Sequence, residues 1–333
     1  MNTLKNKELN YSYPFPLDKN AHEKFNQLII RQKNNNGWFI ESNVREAIGN
    51  LASEMTEEKI WSWQSNYIFN ERNPKNVLVI MAGNIPLVGF HDFMCALLSG
   101  HNVICKLSSD DNTLLPAIID VLNEIEPALQ NRIHILKNKI QEIDAVIATG
   151  SNNSLNYFNE YFGKYPHVFR NNRTSIAVLD SYETDEELQN LGDDIFTFFG
   201  LGCRNVTHLI IPDKYDLNAF FKNIVGYSDV INHHKYANNY DYYKAIFLLN
   251  KVPILDNNFV LLRESNDLFS SVAVINYHTY TNKLDVNSYL QKHEKDIQLI
   301  VGHDYMPFGN AQKPSLTDYA DGIDTMQFLS KIS

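Results

Sequence analysis

A chain of 333 residues that is 44% hydrophobic and 20% charged is globular, buries a substantial core and has length for two lobes. Its 29 basic residues against 39 acidic ones leave a net charge of −10, which argues against nucleic acid as a partner, because such binding needs a positive field to displace counterions. Three cysteines, Cys95, Cys105 and Cys203, have no paired spacing, so they indicate neither a disulfide framework nor a zinc site and fit a reducing cytoplasm.

The opening stretch, MNTLKNKELNYSYPFPLDKN, lacks the apolar core of a signal peptide, and no apolar run approaches the ~20 residues needed to span a bilayer. A cytoplasmic protein without a transmembrane segment is expected. Residues 1–75 read as an N-terminal helical segment. Phe25, Leu28 and Ile29 follow Asp18 at helical spacing, a second helix runs from Asn43 through Ala47 and Leu51, and Thr56 before EEKIWSW is an N-cap with acids in the first turn. Trp61 and Trp63 read as packing residues.

From residue 76 the pattern changes to short β-branched runs alternating with helical ones. VLVIMA (77–82), NVICKL (102–107), RIHILK (132–137), AVIAT (145–149) and SIAVLD (175–180) predict buried strands, with room between them for crossover helices. The fold class is therefore α/β, with a parallel Rossmann-type sheet over residues 76–190 that binds its ligand beyond the carboxyl ends of the strands. A second α/β domain over 191–304 contains THLIIP, IFLLN, FVLLRE and SVAVINY, and a motif-rich segment closes the chain over 305–333.

Three strand ends carry polar residues. In MAGNIPLVGF, Pro86 fits a first helical turn, and Asn84 either caps that helix or projects its amide into a cleft; capping alone accounts for it. In ICKLSSDDN, Lys106 closes a strand where it can reach a phosphate or ribose, and Ser108-Ser109-Asp110 precede a helix. In IATGSNNS, Thr149-Gly150-Ser151 bring small groups and free N–H donors to a helix N-terminus, a seat for a pyrophosphate. The dinucleotide fingerprint G-x-G-x-x-G is absent.

The acidic helix TDEELQNLGDDIFTFFG, whose Leu188, Leu191, Ile195 and Phe198 form a core face, leads to FGLGCRNVTHLIIP. Cys203 there, after two glycines and before Arg204, is either an activated thiol or a buried small hydrophobe. Arg204 and nearby N–H groups favour its thiolate. Strands on either side place it where two lobes meet. Other features read as structural: His208 lies on the following strand, the adjacent His233 and His234 cannot form an i, i+4 metal pair, and Gly322 makes a turn among Asp318, Asp321 and Asp324, so no metal is expected.

The order of these motifs, strand then G-N-I-P, strand then K-L-S, strand then T-G-S, and G-x-C before a strand, resembles the aldehyde dehydrogenase superfamily. FGLGCRNVTHLIIP together with PFGNAQKPSLTDYADGIDTMQFL is similar to the bacterial acyl-CoA reductase family, related to the fatty-acid reductase of bacterial luminescence. The resemblance covers residues 77–329. It implies an aldehyde dehydrogenase-like fold with Cys203 as nucleophile and Asn84 as oxyanion donor beside the Cys203 N–H. Lys106 and Ser108 would face the adenosine ribose, Thr149, Gly150 and Ser151 the cofactor pyrophosphate, and Phe269 the nicotinamide side, with Asp267 in the place of the usual preceding acid.

One departure bears on the reaction. Where aldehyde dehydrogenases carry E-L-G-G-K-S-P, this chain has Phe169-Arg170-Asn171-Asn172-Arg173-Thr174-Ser175, with no carboxylate to activate water. The expected activity is thus NADPH-dependent, or NADH-dependent, reduction of a fatty acyl thioester to the aldehyde, the acyl group arriving on coenzyme A or on an acyl-carrier or acylated protein. An acyl transferase using Cys203 without hydride, or a silent acyl- or nucleotide-binding subunit, are the alternatives. Arg170 and Arg173 are candidates for anionic parts of a ligand, or else exposed helix or loop arginines. A homo-oligomer is compatible with the resemblance.

Overall fold

The structure is a computed structural model that describes residues 19–69, 73–137 and 142–332. The first 18 residues of the expected helical segment lie outside it. Helices α1 (Lys19–Asn35), α2 (Glu41–Glu54) and α3 (Glu57–Gln64) follow. Thr56 caps α3 as expected: its hydroxyl accepts the Lys59 N–H at 3.3 Å, with Glu57 and Glu58 in the first turn. Trp63 is buried and Trp61 exposed.

The first sheet contains β1 (Asn76–Ile80), β2 (Asn102–Lys106), β3 (Ile133–Ile135), β4 (Ala145–Thr149) and β5 (His167–Arg170), all parallel in the order β3-β2-β1-β4-β5. Alternation along the strands divides the core in two, as a period of two requires. Val77, Val79, Cys105 and Ile147 face α4 (Phe90–Leu98), α5 (Leu114–Ile125) and the N-terminal helices, whereas Leu78, Ile104 and Val146 face the layer that includes α6 (Asn152–Phe162). Cys95 and Cys105 are fully buried packing residues. Strand order reverses at β1, and the connections leaving β1 and β4 pass to opposite faces of the sheet, the switch point beyond which such sheets form a binding crevice.

The second sheet holds β6 (Thr174–Val178), β7 (Val206–Pro212), β8 (Leu255–Asp256), β9 (Leu261–Glu264), β10 (Val274–Tyr280) and β11 (Ile297–Val301), in the order β11-β6-β7-β10-β9-β8. Only the short β8 is antiparallel. Helices α7 (Asp185–Phe196), α8 (Leu217–Ile224), α9 (His234–Leu249) and α10 (Lys283–Lys292) accompany it.

One expectation changes here. SIAVLD, read as part of the first sheet, pairs as β6 in the second, so sheet membership changes within residues 171–173 rather than near residue 190. The reason is the unanticipated β5: three residues cannot make the crossover of a dozen or more that adjacent parallel strands require, so the chain passes to a new sheet. IFLLN, one of the α and β segments expected in the second domain, forms the end of α9, with Asn250 as its C-cap.

The C-terminal segment returns to the first lobe, where α11 (Thr325–Ile332) packs Met326 and Leu329 against the α4 side of the core. Arg170 anchors it. Buried to 2% exposure, its guanidinium donates to both Asp92 oxygens, Nε at 3.1 Å and Nη2 at 2.7 Å, and also to Thr325 Oγ1 and the Ala320 carbonyl. Burial opposes ionisation of Asp92, yet the Arg170 charge holds the carboxyl below its ordinary range. Arg170 is thus consumed within the protein and is not available to an anionic ligand. Arg173 is likewise engaged, with the Ile297 carbonyl at 3.1 Å and Asp321 at 3.3 Å.

Removing one member of a buried ion pair strands the other, at a cost of about 3–5 kcal/mol. Arg170→Met should therefore lower unfolding free energy in urea by that order, and Asp92→Leu combined with Arg170→Met should recover much of the loss.

Candidate active site

The strand ends singled out in the sequence share one edge. Ile80 is the register partner of Lys106 on one side and of Ala148 on the other, so the turns after β1, β2 and β4 emerge side by side. Gly83 lies so close to the β2 turn that a Cβ would come within 2.6 Å of Ser108 Oγ, which only glycine permits. Leu87 has φ +57°, and its N–H donates to the buried Asp111 carboxylate at 2.7 Å. Helix α4 does not begin until Phe90, with Gly89 at its N-cap, so neither Asn84 nor Pro86 serves the helix start expected of them. Lys106 is exposed, and its Nζ comes no nearer than 3.4 Å to the neighbouring Leu107 carbonyl. Ser151 caps α6 by accepting the Ser154 N–H at 3.3 Å.

The Cys203 loop approaches this edge from the second lobe. After α7 the chain turns through Phe198 (φ +54°), Phe199 (φ +57°) and Gly200 (φ +76°). Left-handed backbone costs about 1–2 kcal/mol for each non-glycine residue, so this turn must be held by its surroundings. Phe199 is buried against His233 at 4.3 Å and Trp38 at 5.4 Å between ring centroids, and the His233 Nε2 bonds the Gly37 carbonyl. The loop is then fixed by three side chains: Asn205 Oδ1 accepts the Gly202 N–H at 2.8 Å, Ser175 Oγ donates to the Cys203 carbonyl at 2.9 Å, and Arg204 Nε donates to the Ala311 carbonyl. Asp194, fully buried, accepts the N–H groups of Gly309 at 2.7 Å and Ala311 at 2.9 Å, and burial pushes its carboxyl up to about 6. The motif PFGNAQKP is therefore bolted to the loop that carries the cysteine.

Asn84 crosses between the lobes. Its amide nitrogen donates to the Leu201 carbonyl at 2.8 Å, two residues before Cys203, and a primary amide retains a second N–H after that bond. Cys203 is half-buried. Burial pushes its thiol above the ordinary value, outweighing the pull of Arg204 toward the thiolate, so the net effect is opposite to that expected from the arginine alone. Its own N–H also favours the thiolate, while Asp321 disfavours it. That carboxylate comes from the C-terminal segment and lies against the stretch that lacks an acid in the sequence, accepting the Asn171 N–H at 3.2 Å and facing Arg173.

Phe269 is 40% exposed on the loop before β10. Asn276, fully buried, donates to the Asp267 and Phe269 carbonyls at 2.8 and 2.9 Å, while Asp267 itself pairs with Arg263 at 2.8 Å. His208 is buried between the Asp267 carbonyl and His278, and desolvation carries it down to about 3, so it is a packing group as read. Asp318 and Asp324 bond the Ser315 N–H and the Tyr67 hydroxyl. Sequence reasoning missed Asp194, Asn205 and Ser175, whose partners are far along the chain, and His303, whose ring bonds Asp180 at 2.8 Å and Glu187 at 3.2 Å.

Two lobes of this topology, with a cysteine loop facing the edge of a parallel sheet, define the aldehyde dehydrogenase fold. The chain is similar in fold to aldehyde dehydrogenase 21 of Physcomitrella patens in complex with succinate (TM-score 0.62, 14% identity, 86% of this chain and 70% of that one). It is also similar to a Mycobacterium tuberculosis aldehyde dehydrogenase complexed with NAD+ (0.61, 13%, 85% and 69%) and to an Escherichia coli NADP-dependent enzyme (0.60, 12%, 84% and 70%). No curated protein matches it. Residues 10–226 match the acyl-CoA reductase (LuxC) family, and the chain belongs to that family.

A half-buried thiol above its ordinary value has little thiolate at neutral pH. Iodoacetamide should label Cys203 ahead of the buried Cys95 and Cys105, at a rate that climbs through a midpoint above the ~8.5 of a free cysteine. Peptide mass analysis across pH reads this, and a midpoint below that of free cysteine would contradict the site's electrostatics.

Proposed function

We propose that this enzyme reduces a fatty acyl thioester, borne by coenzyme A or by an acyl-carrier or acylated protein, to the aldehyde through an acyl group held on Cys203. Family membership supports acyl-thioester reduction in general. The observation that carries the finer reading is the Asn84 bond to Leu201, which joins a donor amide of the first lobe to the cysteine loop of the second.

The residues at the sheet edge fit a dinucleotide. Lys106 is an exposed cation without a competing acid partner among the described residues, Ser108 lies beside it on the β2 turn, and Thr149, Gly150 and Ser151 open the N-terminus of an 11-residue helix toward the crevice, where anions are favoured. Lys106 and Ser108 would hold the ribose end, Thr149 to Ser151 the pyrophosphate, and Phe269 the nicotinamide side. NADPH is the proposed reductant and NADH the alternative. When bound, the reduced nicotinamide supplies hydride to the acyl carbon.

Cys203 performs the covalent step: its thiolate forms a bond to the acyl carbon while the carrier thiol leaves with the electron pair of the broken C–S bond and takes up a proton. The second Asn84 N–H and the Cys203 N–H hold the oxyanion at each tetrahedral stage, donors of the kind whose single loss costs about 3 kcal/mol in barrier. Collapse of the thiohemiacetal releases the aldehyde and restores the thiolate. Hydrolysis is disfavoured, because Asp321, the carboxylate nearest in role to a water-activating base, is committed to Asn171 and Arg173.

Incubation with long-chain acyl-CoA should add one acyl mass to Cys203, and NADPH should then discharge it as aldehyde with loss of cofactor absorbance. Cys203→Ser should abolish both. Asn84→Ala should slow turnover by about 10²–10³-fold with cofactor affinity retained. An adduct that persists in Cys203→Ser would sink the nucleophile, and an adduct without cofactor consumption would make the enzyme an acyl transferase.

A further inference from the structure

Asn205 is fully buried, two residues after the cysteine, and its side chain is used at both ends. The Nδ2 group donates toward the carbonyls of Asp194 at 3.1 Å, Ile195 at 3.2 Å and Thr197 at 2.8 Å, the carbonyls that a helix end leaves without partners. The Oδ1 atom accepts the Gly202 N–H at 2.8 Å, while the Asn205 N–H returns to the Gly202 carbonyl at 3.1 Å. Residues 202–205 thus form a closed ring with Cys203 and Arg204 at its crest. Gly202 suits the closeness of this contact, since a Cβ there would stand 3.0 Å from Asn205 Oδ1, tighter than ordinary van der Waals contact.

A helix cap alone would not need the oxygen half of this side chain. The same amide ties the end of α7, across the left-handed turn at Phe198 to Gly200, to the residue preceding the cysteine, so the angle at which the loop leaves the helix is set by one group. The Ser175 bond to the Cys203 carbonyl fixes the third direction. Among the described residues, the hydrogen-bond partners of the Asn205 side chain are all backbone groups.

We propose that Asn205 is the positioning residue of the nucleophile, holding the 202–205 ring so that the Cys203 thiol and N–H meet the acyl carbonyl together. This rests on Cys203 being the acyl acceptor. Without the amide, the ring opens, the thiol becomes more accessible, and the oxyanion donors lose their aim.

The test reads two quantities that, per folded molecule, a purely structural residue would leave unchanged. In Asn205→Ala, iodoacetamide labelling of Cys203, measured per folded molecule, should rise severalfold at pH 7.5 with its midpoint falling toward that of a free cysteine. Acyl-CoA reduction by NADPH should fall about 100-fold in kcat, the order expected for misplacement by an ångström, with the KM for NADPH unchanged. Asn205→Asp, which keeps the acceptor for Gly202 but turns oxygen toward three carbonyls, should lose turnover like the alanine variant. Asn205→Ser, retaining one donor and one acceptor, should fall between and serves if the alanine variant does not fold. Unchanged labelling and unchanged turnover per folded molecule would overturn the proposal, as would wild-type behaviour of Asn205→Asp. If the wild type itself reduces no acyl thioester, the functional reading fails, while the labelling measurement still decides whether Asn205 holds the cysteine.

Discussion

Three residues, Asn171 to Arg173, separate β5 from β6, and the architecture depends on that short step. A parallel neighbour in the same sheet needs a long crossover, which so brief a connection cannot make. β6 instead founds a second sheet directly beside the first. Arg170 anchors one side of the step through Asp92, Asp321 receives the N–H of Asn171 within it, and Ser175, just beyond it, holds the Cys203 carbonyl. The proposed nucleophile is near the crevice because the chain changes sheets there.

Fixing a loop at such a junction requires compensation for strained backbone. Two phenylalanines in left-handed conformation are destabilising by themselves, and the fold offsets them by burying Phe199 against Trp38 and His233 and by capping the end of α7 with Asn205. The C-terminal segment adds a second set of restraints. Ala311 is held between Asp194 and Arg204, Thr325 and Ala320 are held by Arg170, and α11 completes the core of the first lobe. One segment thus binds both lobes around the site, which gives the PFGNAQKP motif a physical role apart from any contact with ligand.

The electrostatics of the free protein are those of a thiol at rest. Burial and Asp321 oppose ionisation of Cys203, whereas Arg204 and the local N–H favour it. In the proposed reaction the balance must tip toward the thiolate when substrate occupies the crevice. In the same proposed reaction, the lack of a carboxylate from Phe169 to Ser175 would favour reduction of an acyl group on Cys203 over its hydrolysis.

Sequence alone determined the features that depend on neighbours a few residues apart. Strands β1 to β4 of the first sheet are visible in their β-branched runs, Thr56 in its capping position, α7 in its helical periodicity, and the order of strand-end motifs in its resemblance to the aldehyde dehydrogenase superfamily. Tertiary structure decided what depends on partners far along the chain. HVFR became a strand because β4 was available to pair with it, SIAVLD joined the second sheet because the step before it is short, and IFLLN completed a helix. Arg170 went into the interior because Asp92 and Thr325 meet it there, and Asn84, which caps no helix, gives its amide to Leu201 of the other lobe. The sign of the shift at Cys203 follows the same division: the adjacent arginine is written in the sequence, but the burial that outweighs it exists only once the lobes have closed around the loop.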